Sequence, residues 1–152
     1  MRHIALVLFG VLVGASIATS FAQTDRILGV NHVGIGVANI DEALAFYTQK
    51  MGFREAFVVR DDKGQPALAY VQVSRDTFIE LQPATGGRRP GLDHVGVHVE
   101  NIRASLATLK QRGVTVEEPR AGRTKSTIAN ATATDGVRIE FSELGPESFQ
   151  RQ

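Results

Sequence analysis

The chain has 152 residues, of which 43% are hydrophobic and 22% charged, and this composition predicts one globular domain with a substantial core. Its formal net charge of +1 argues against a nucleic-acid partner, which would need a basic surplus. The absence of cysteine excludes a cysteine nucleophile, thiolate metal ligands and iron–sulfur chemistry.

The first 22 residues have the organisation of a secretory signal peptide. A short positive start precedes residues 4–17, which are almost all apolar or small, and Ser20 and Ala22 place small side chains at the positions that a signal peptidase reads. We expect cleavage before Gln23 and a periplasmic or secreted protein without stable membrane association. The alternative is an uncleaved membrane anchor, for which the run is short, because a spanning helix needs about 20 apolar residues.

Residues 27–83 have the pattern of a first module made of one strand, one helix and three strands. Residues 28–38 alternate as a strand, and this places His32 on the face opposite the apolar side chains that a helix should cover. Asn39 is the expected N-cap of that helix. The three strands that follow are expected at residues 53–60, 67–74 and 77–82.

A linker at residues 84–90 leads to a second module, residues 91–144, that repeats the order of the first. Its elements are expected as a strand at 92–99, a helix at 102–112 and strands at 114–117, 127–133 and 137–142. The tail at residues 145–152 is expected to be loosely held.

Neither module can bury its sheet face alone, so the two should pair within one domain, residues 23–152. The predicted fold class is α+β. Two βαβββ modules form a curved, mixed, mostly antiparallel sheet cup, with the helices outside.

The two modules share matched histidines and glutamates. GVNHVGIGVANI returns as GLDHVGVHVENI with seven of twelve positions identical, which places His32 over His94. FIELQ similarly returns as RIEFS, which places Glu80 over Glu140. Two His and two Glu on the open faces of equivalent strands form a set of metal ligands. The sequence therefore predicts a metal site where the modules meet.

Each residue also has a simpler interpretation. A lone strand histidine is more often a hydrogen-bonded structural residue, and a lone strand glutamate is usually solvated. The match of His to His and Glu to Glu across the repeat favours the metal site. Gly34, Gly36 and Gly96 share the ligand face, and they are expected to leave room there for a substrate.

Other polar residues near the predicted site leave two interpretations open. His98 lies on the same face as His94, and could contact the substrate or the ligands, or face solvent. A loop at residues 118–126 could close over an anionic substrate or be an ordinary solvated loop, and its cations are Arg120, Arg123 and Lys125. Arg88 and Arg89 are expected on the linker surface.

The motifs NHVGIGVANIDEALAFYTQKMGF, FIELQP, LDHVGVHVENI and DGVRIEF resemble, in form and order, those of the vicinal oxygen chelate superfamily over about residues 27–144. Its members include glyoxalase I, methylmalonyl-CoA epimerase, extradiol dioxygenases, fosfomycin-resistance transferases and bleomycin-binding proteins. The chain looks most similar to the glyoxalase I and methylmalonyl-CoA epimerase types. The resemblance implies one divalent metal ion bound by His32, Glu80, His94 and Glu140.

The resemblance also implies an activity, that of an exported metal-dependent isomerase or lyase of the glyoxalase I type. Its small-molecule substrate would be a 2-oxo or hydroxy-carbonyl compound, chelated through neighbouring oxygens so that an enediolate is stabilised. Glu140 or Glu80 would be the catalytic base. Mixed nitrogen and oxygen ligands allow Zn, Ni, Co, Mn or Fe. A homodimer is expected, because the superfamily often builds its sites across a dimer.

Glu80 favours glyoxalase I within the superfamily, since the epimerases carry Gln there and the dioxygenases use only the other three ligands. Two features differ from bacterial glyoxalase I. Gly36 replaces an Arg that helps to hold glutathione, and export removes the protein from the cytosol, where glutathione and coenzyme A are most abundant. The alternatives are an Fe(II) dioxygenase of the extradiol type and a non-catalytic binding protein, against which the complete set of ligands counts.

We predict that the exported protein begins at Gln23. Amino-terminal sequencing of protein recovered from the periplasm or medium of an expressing bacterium should read Gln-Thr-Asp-Arg. Protein that keeps Met1 and sediments with the membrane fraction would instead support the anchor.

Overall fold

The computed structural model describes residues 25–152, so the predicted signal peptide lies outside the described residues. Each module has one helix and four strands, in the predicted order. The first module contains β1 (Ile27–Val37), α1 (Ile40–Ala45) continued by a π-helical turn (Phe46–Lys50), β2 (Arg54–Arg60), β3 (Pro66–Ser74) and β4 (Thr77–Pro83). The second contains β5 (Gly91–Val99), α2 (Ile102–Gln111), β6 (Arg120–Ala121), β7 (Thr127–Thr132) and β8 (Arg138–Glu143), followed by a 3-10 turn (Phe149–Arg151).

The eight strands form one curved sheet in the order β2-β3-β4-β1-β5-β8-β7-β6. Only two neighbouring pairs are parallel, β1 with β4 and β5 with β8. The modules meet where β1 and β5 pair antiparallel, so equivalent strands are related by a pseudo-twofold axis. The predicted α+β cup, mixed and mostly antiparallel, is confirmed.

Both helices pack on the outer face of the sheet. Asn39 and Asn101 cap them, accepting hydrogen bonds from the backbone N–H groups of Glu42 and Ala104 at 3.1 and 2.9 Å. Around α1 the core contains Ile40, Ala69 and Leu81, and around α2 it contains Val99, Ile102, Leu106, Ala129, Ala131 and Phe141. The apolar strand positions are thereby buried under the helices, and the alternate positions face the inside of the cup.

The outer edge of the second module differs from the prediction. Residues 114–117 do not form a strand, and only Val116 makes an isolated bridge, with Ala131. The edge strand is β6, which pairs with β7 three residues beyond Glu117. Pro119 has no N–H to donate, so it interrupts the ladder between these two short pairings.

The prediction of a loosely held tail is wrong. Ser148 is fully buried, and its hydroxyl donates to the backbone carbonyl of Lys125 at 3.1 Å. The backbone N–H of Phe149 donates to the carbonyl of Thr124 at 3.1 Å, and the Phe149 ring contacts Phe57 edge-on. The tail is therefore docked on the 122–126 turn. Within residues 25–152, no helix is both long and apolar enough to span a membrane.

Two glycines make the junction between β1 and β5 possible. His32 lies opposite Gly96, and His94 lies opposite Gly34. A Cβ added at Gly34 would lie 2.1 Å from the His94 ring, and one at Gly96 would lie 2.1 Å from the His32 ring. These glycines therefore make room for the two imidazoles, and the expectation that they leave room for a substrate is wrong. A Cβ at Gly36 would instead meet the Arg89 backbone carbonyl, at 2.3 Å.

We predict that Gly34→Ala lowers the free energy of unfolding by about 1–3 kcal/mol, because the new methyl group overpacks the His94 ring. Gly145→Ala is the matched control, since a Cβ there meets nothing within 4 Å. Urea unfolding followed by circular dichroism measures both. Equal midpoints for Gly34→Ala and the control would contradict the packing role of Gly34.

Candidate metal centre

Three predicted ligands converge at the centre of the cup. The Nε2 atoms of His32 and His94 are 2.9 Å apart, and Glu80 Oε2 lies 3.1 and 3.3 Å from them. All three side chains are buried. Glu140 Oε1 lies 3.6 Å from His32 Nε2, but Glu140 falls outside the tight group that the other three form. The structure thus brings the four residues to one place, with Glu140 at the margin.

The distances fit a shared metal ion. Two ligand atoms at about 2.0–2.1 Å from one ion, at angles of ~90–110°, are roughly 2.9–3.4 Å apart. The observed separations in the tight group, 2.9 to 3.3 Å, lie within that range. The described residues therefore include a His–Glu–His cluster that could hold a metal ion.

The outer nitrogens of the histidines bear on how the cluster could bind a cation. His32 Nδ1 lies 2.9 Å from the Asn31 side-chain oxygen, and His94 Nδ1 lies 2.8 Å from an Asp93 carboxylate oxygen and 3.0 Å from the Arg138 guanidinium, which can donate to it. When the proton of each imidazole is on Nδ1, facing Asn31 or Asp93, the Nε2 atoms present lone pairs to each other and to Glu80. A metal ion or a proton between them removes that repulsion. Glu80 accordingly raises the pKa of His94, against the effect of burial.

The two carboxylates differ in how firmly they are held. Glu80 accepts hydrogen bonds from the Tyr70 hydroxyl at 2.9 Å and from the Gln82 amide at 2.6 Å. Glu140 accepts one long hydrogen bond, 3.4 Å, from the Ser142 hydroxyl. Glu80 is therefore positioned as a fixed ligand, whereas Glu140 has fewer restraints.

Burial alone would raise the pKa of Glu80. When His32 and His94 are protonated, their hydrogen bonds and positive charge outweigh burial and hold that pKa well below its usual range. Burial and the charge of Glu80 raise the pKa of Tyr70 well above its usual value, so its hydroxyl remains a donor. Glu80 is thus an ionised carboxylate suited to binding a cation.

A cavity of about 220 Å³ adjoins the cluster and is lined in part by Glu80 and Glu140. Arg88 lines it too and is only partly exposed, so the prediction that places Arg88 on the linker surface is wrong. Its Nε lies 3.4 Å from Asp93, which draws the guanidinium inward. Arg89 is exposed, as predicted.

A larger cavity, about 1090 Å³, lies toward the other end of the cup and touches none of the four ligands. His98 lines this cavity, together with Phe149 of the tail. Burial and the charge of Arg151 lower the pKa of His98. His98 therefore does not line the cavity beside the ligands, and we place the functional site at the smaller cavity.

Several residues that support the ligands were not identified from the sequence. Asn31 and Asp93 each precede a ligand histidine, and Gln82 and Ser142 each follow a glutamate by two residues, so the repeat carried a signal for all four. Tyr70 carried none, because its contact with Glu80 depends on the register of β3 against β4. Arg138 pairs with Asp93 across neighbouring strands.

Comparison with known proteins identifies the family. The model of the Glyoxalase/Bleomycin resistance protein/Dioxygenase superfamily matches residues 31–130, which include His32, Glu80 and His94. The chain therefore belongs to this superfamily, as its motifs predicted. No curated protein sequence matches the chain.

Solved structures with the same fold include methylmalonyl-CoA epimerases. The Mycobacterium tuberculosis enzyme is 26% identical with a TM-score of 0.69, over 80% of this chain and 91% of that one. A variant of the Streptomyces coelicolor enzyme, in complex with 2-nitronate-propionyl-CoA, is 20% identical with a TM-score of 0.67, over 81% and 99%. A hypothetical protein from Bacillus halodurans is 24% identical with a TM-score of 0.65, over 76% and 94%.

We predict that Tyr70→Phe weakens metal binding by about 10-fold, because Glu80 loses a hydrogen-bond donor while the aromatic packing on Phe57 is kept. Competition with a chromogenic chelator measures the affinity. Tyr47→Phe is the matched control, since Tyr47 is the other tyrosine of the chain and packs against the outer core of Ile40, Ala69 and Leu81. Equal affinities in the two variants would contradict the role assigned to Tyr70.

Proposed function

We propose that the protein is a metal-dependent isomerase that removes a proton from a carbon next to a carbonyl group and returns it. The observation that carries this proposal is the His–Glu–His cluster, buried beside a cavity that a less restrained carboxylate, Glu140, also lines. Such a site combines a place for an electrophilic ion with a group that can accept a proton.

The ion would be divalent, Zn, Ni, Co, Mn or Fe, held by His32, Glu80, His94 and Glu140. When bound, it supplies a Lewis acid that polarises a chelated carbonyl and stabilises the enediolate. Buried Asn31 and half-buried Asp93 hold the two imidazoles from behind. Tyr70 and Gln82 hold Glu80 in its ionised form.

Glu140 is the better candidate for the base. A base has to leave its resting contacts to reach a substrate carbon. Among the described residues, Glu140 has one long hydrogen bond and a 3.6 Å contact with His32 to give up, and it lies at the margin of the proposed ligand set. Its carboxylate takes the proton from the carbon and then returns it to the substrate, so that no other reactant is consumed. Glu80 is held by two donors and remains in place.

The position of Glu80 also favours this function over extradiol dioxygenation. The dioxygenase resemblance implies that His32, His94 and Glu140 bind iron without Glu80. In the structure Glu80, and not Glu140, joins the histidines in the tight group. The isomerase proposal needs that fourth ligand.

The substrate class that we propose is a small 2-oxo or hydroxy-carbonyl compound. Structural similarity to methylmalonyl-CoA epimerases supports transfer of a proton at one carbon, as in an epimerisation. Glu80 and the predicted export favour a smaller substrate than an acyl-CoA. We also propose a periplasmic or secreted location and a homodimer. Each chain carries all four ligands itself, so the dimer would not be needed to complete the ligand set.

Proton exchange in D2O tests the proposal. Cobalt- or nickel-loaded protein should catalyse uptake of deuterium next to the carbonyl of at least one of three probes, which are methylmalonyl-CoA and methylglyoxal with or without glutathione. Glu140→Gln should lower that exchange by about 10²–10⁴-fold and keep the metal. Glu80→Gln should lose both the metal and the exchange. NMR measures the exchange and elemental analysis the metal.

Metal loading without exchange on any of the probes would count against proton abstraction from these substrate classes. Unchanged exchange in Glu140→Gln would show that Glu140 is not the base.

A further inference from the structure

Several arginines line the cavity beside the cluster. There are four of them, and they come from three separate segments of the chain. These are Arg88 in the linker, Arg120 in β6, Arg123 in the turn after β6 and Arg138 at the start of β8.

Two of these arginines already have a carboxylate partner. Arg88 and Arg138 both pair with Asp93, the residue that holds His94 from behind. Burial raises the pKa of Asp93, but the hydrogen bond to His94 and the charges of the two arginines lower it below its usual value. Arg88 and Arg138 thus hold Asp93, which in turn holds His94.

Arg120 and Arg123 differ from these two arginines in their contacts. Among the residues that the structure describes, neither has a hydrogen bond or an ion pair through its side chain. Both are exposed at the mouth of the cavity, where their hairpin is held by the backbone N–H of Gly122 donating to the carbonyl of Ser126 at 2.8 Å. Two guanidinium groups are thus available on a backbone that is itself ordered.

The charge around the cavity is positive. Among the residues that line it, four arginines face two carboxylates, those of Glu80 and Glu140. A divalent ion at the cluster would increase that excess. A planar guanidinium group binds a carboxylate or a phosphate through two parallel hydrogen bonds. The guanidinium groups of Arg120 and Arg123 are therefore suited to binding an anion.

We propose that the substrate carries an anionic arm, a carboxylate or a phosphate, which Arg120 and Arg123 bind while the oxygens to be chelated face the cluster. This inference rests on the proposed function. The cavity, at about 220 Å³, selects a small acid, because drug-sized ligands need roughly 300–1,000 Å³.

Two pairs of probes test the contribution of the anionic arm to binding, because the members of each pair share the chelating head and differ in the arm. In the first pair, 2-oxoglutarate and 2-oxovalerate share the 2-oxo acid head and differ in a terminal carboxylate or methyl group. In the second, 3-phosphoglycerate and glycerate share the hydroxy acid head and differ in the phosphate. Calorimetric titration of cobalt-loaded protein should show at least one of 2-oxoglutarate and 3-phosphoglycerate binding roughly 10-fold more tightly than its partner, which lacks the second anionic group. The pair that shows this preference identifies the arm as carboxylate or phosphate.

Replacing both Arg120 and Arg123 by Gln should abolish the preference and leave the affinity for 2-oxovalerate or glycerate unchanged. Lys125→Gln is the matched control. It removes a cation from the same turn, but the Lys125 ammonium lies 4.9 Å over the Phe149 ring and does not line the cavity. The preference should also shrink as NaCl is raised, because the two arginines are exposed.

Equal affinities within both pairs, or a preference that survives in the double variant, would overturn the inference. Failure of cobalt to bind would be a failure of the proposed function instead. The same titrations on metal-free protein then decide the inference, since the arginines do not depend on the ion. A preference for the member with the second anionic group, lost in the double variant, would support it, and equal affinities would overturn it.

Discussion

At the β1–β5 junction, His32 and His94 reach across to the opposite strand, and this close packing is the constraint on which the rest of the structure depends. Each imidazole lies over a glycine of the opposite strand, and the two Nε2 atoms meet 2.9 Å apart beside Glu80. With their outer nitrogens facing Asn31 and Asp93, three lone-pair donors converge in a buried place. A metal ion or a proton between them makes that arrangement favourable, because unpaired buried charge and lone pairs are costly. The cluster could therefore hold a metal ion.

The internal repeat supplies two similar halves, and small differences between them separate the tasks of equivalent residues. Tyr70 lies opposite Glu80 and donates to it, whereas Asn130, at the equivalent position opposite Glu140, donates to Glu117 instead. One carboxylate is thereby fixed and the other is left less restrained. A fold with two similar halves could in this way provide both a ligand and a base.

Periodicity in the sequence predicted the features that depend on a single strand or helix, such as side-chain orientation and helix position. Alternation in β1 was enough to place His32 inside the cup, and the Asn39 cap located the start of the first helix. The repeat predicted four candidate ligands, and the structure brings three of them into a tight group, but the repeat could not show that Glu140 would lie at the margin. Contacts between different elements could not be predicted from the sequence. The use of Gly34 and Gly96 to receive imidazole rings, the inward turn of Arg88 toward Asp93 and the docking of Phe149 on Phe57 each depend on segments far apart in sequence.

The most direct test of this account is the metal content of the wild-type protein, purified without a tag or chelator and offered each divalent ion in turn before elemental analysis. The account predicts roughly one equivalent of metal per chain, lost in His94→Ala, because an isolated buried cluster of this kind binds a single ion. Wild-type protein that holds no metal after exposure to every ion would contradict it, since the converging lone pairs would then be satisfied by a proton alone.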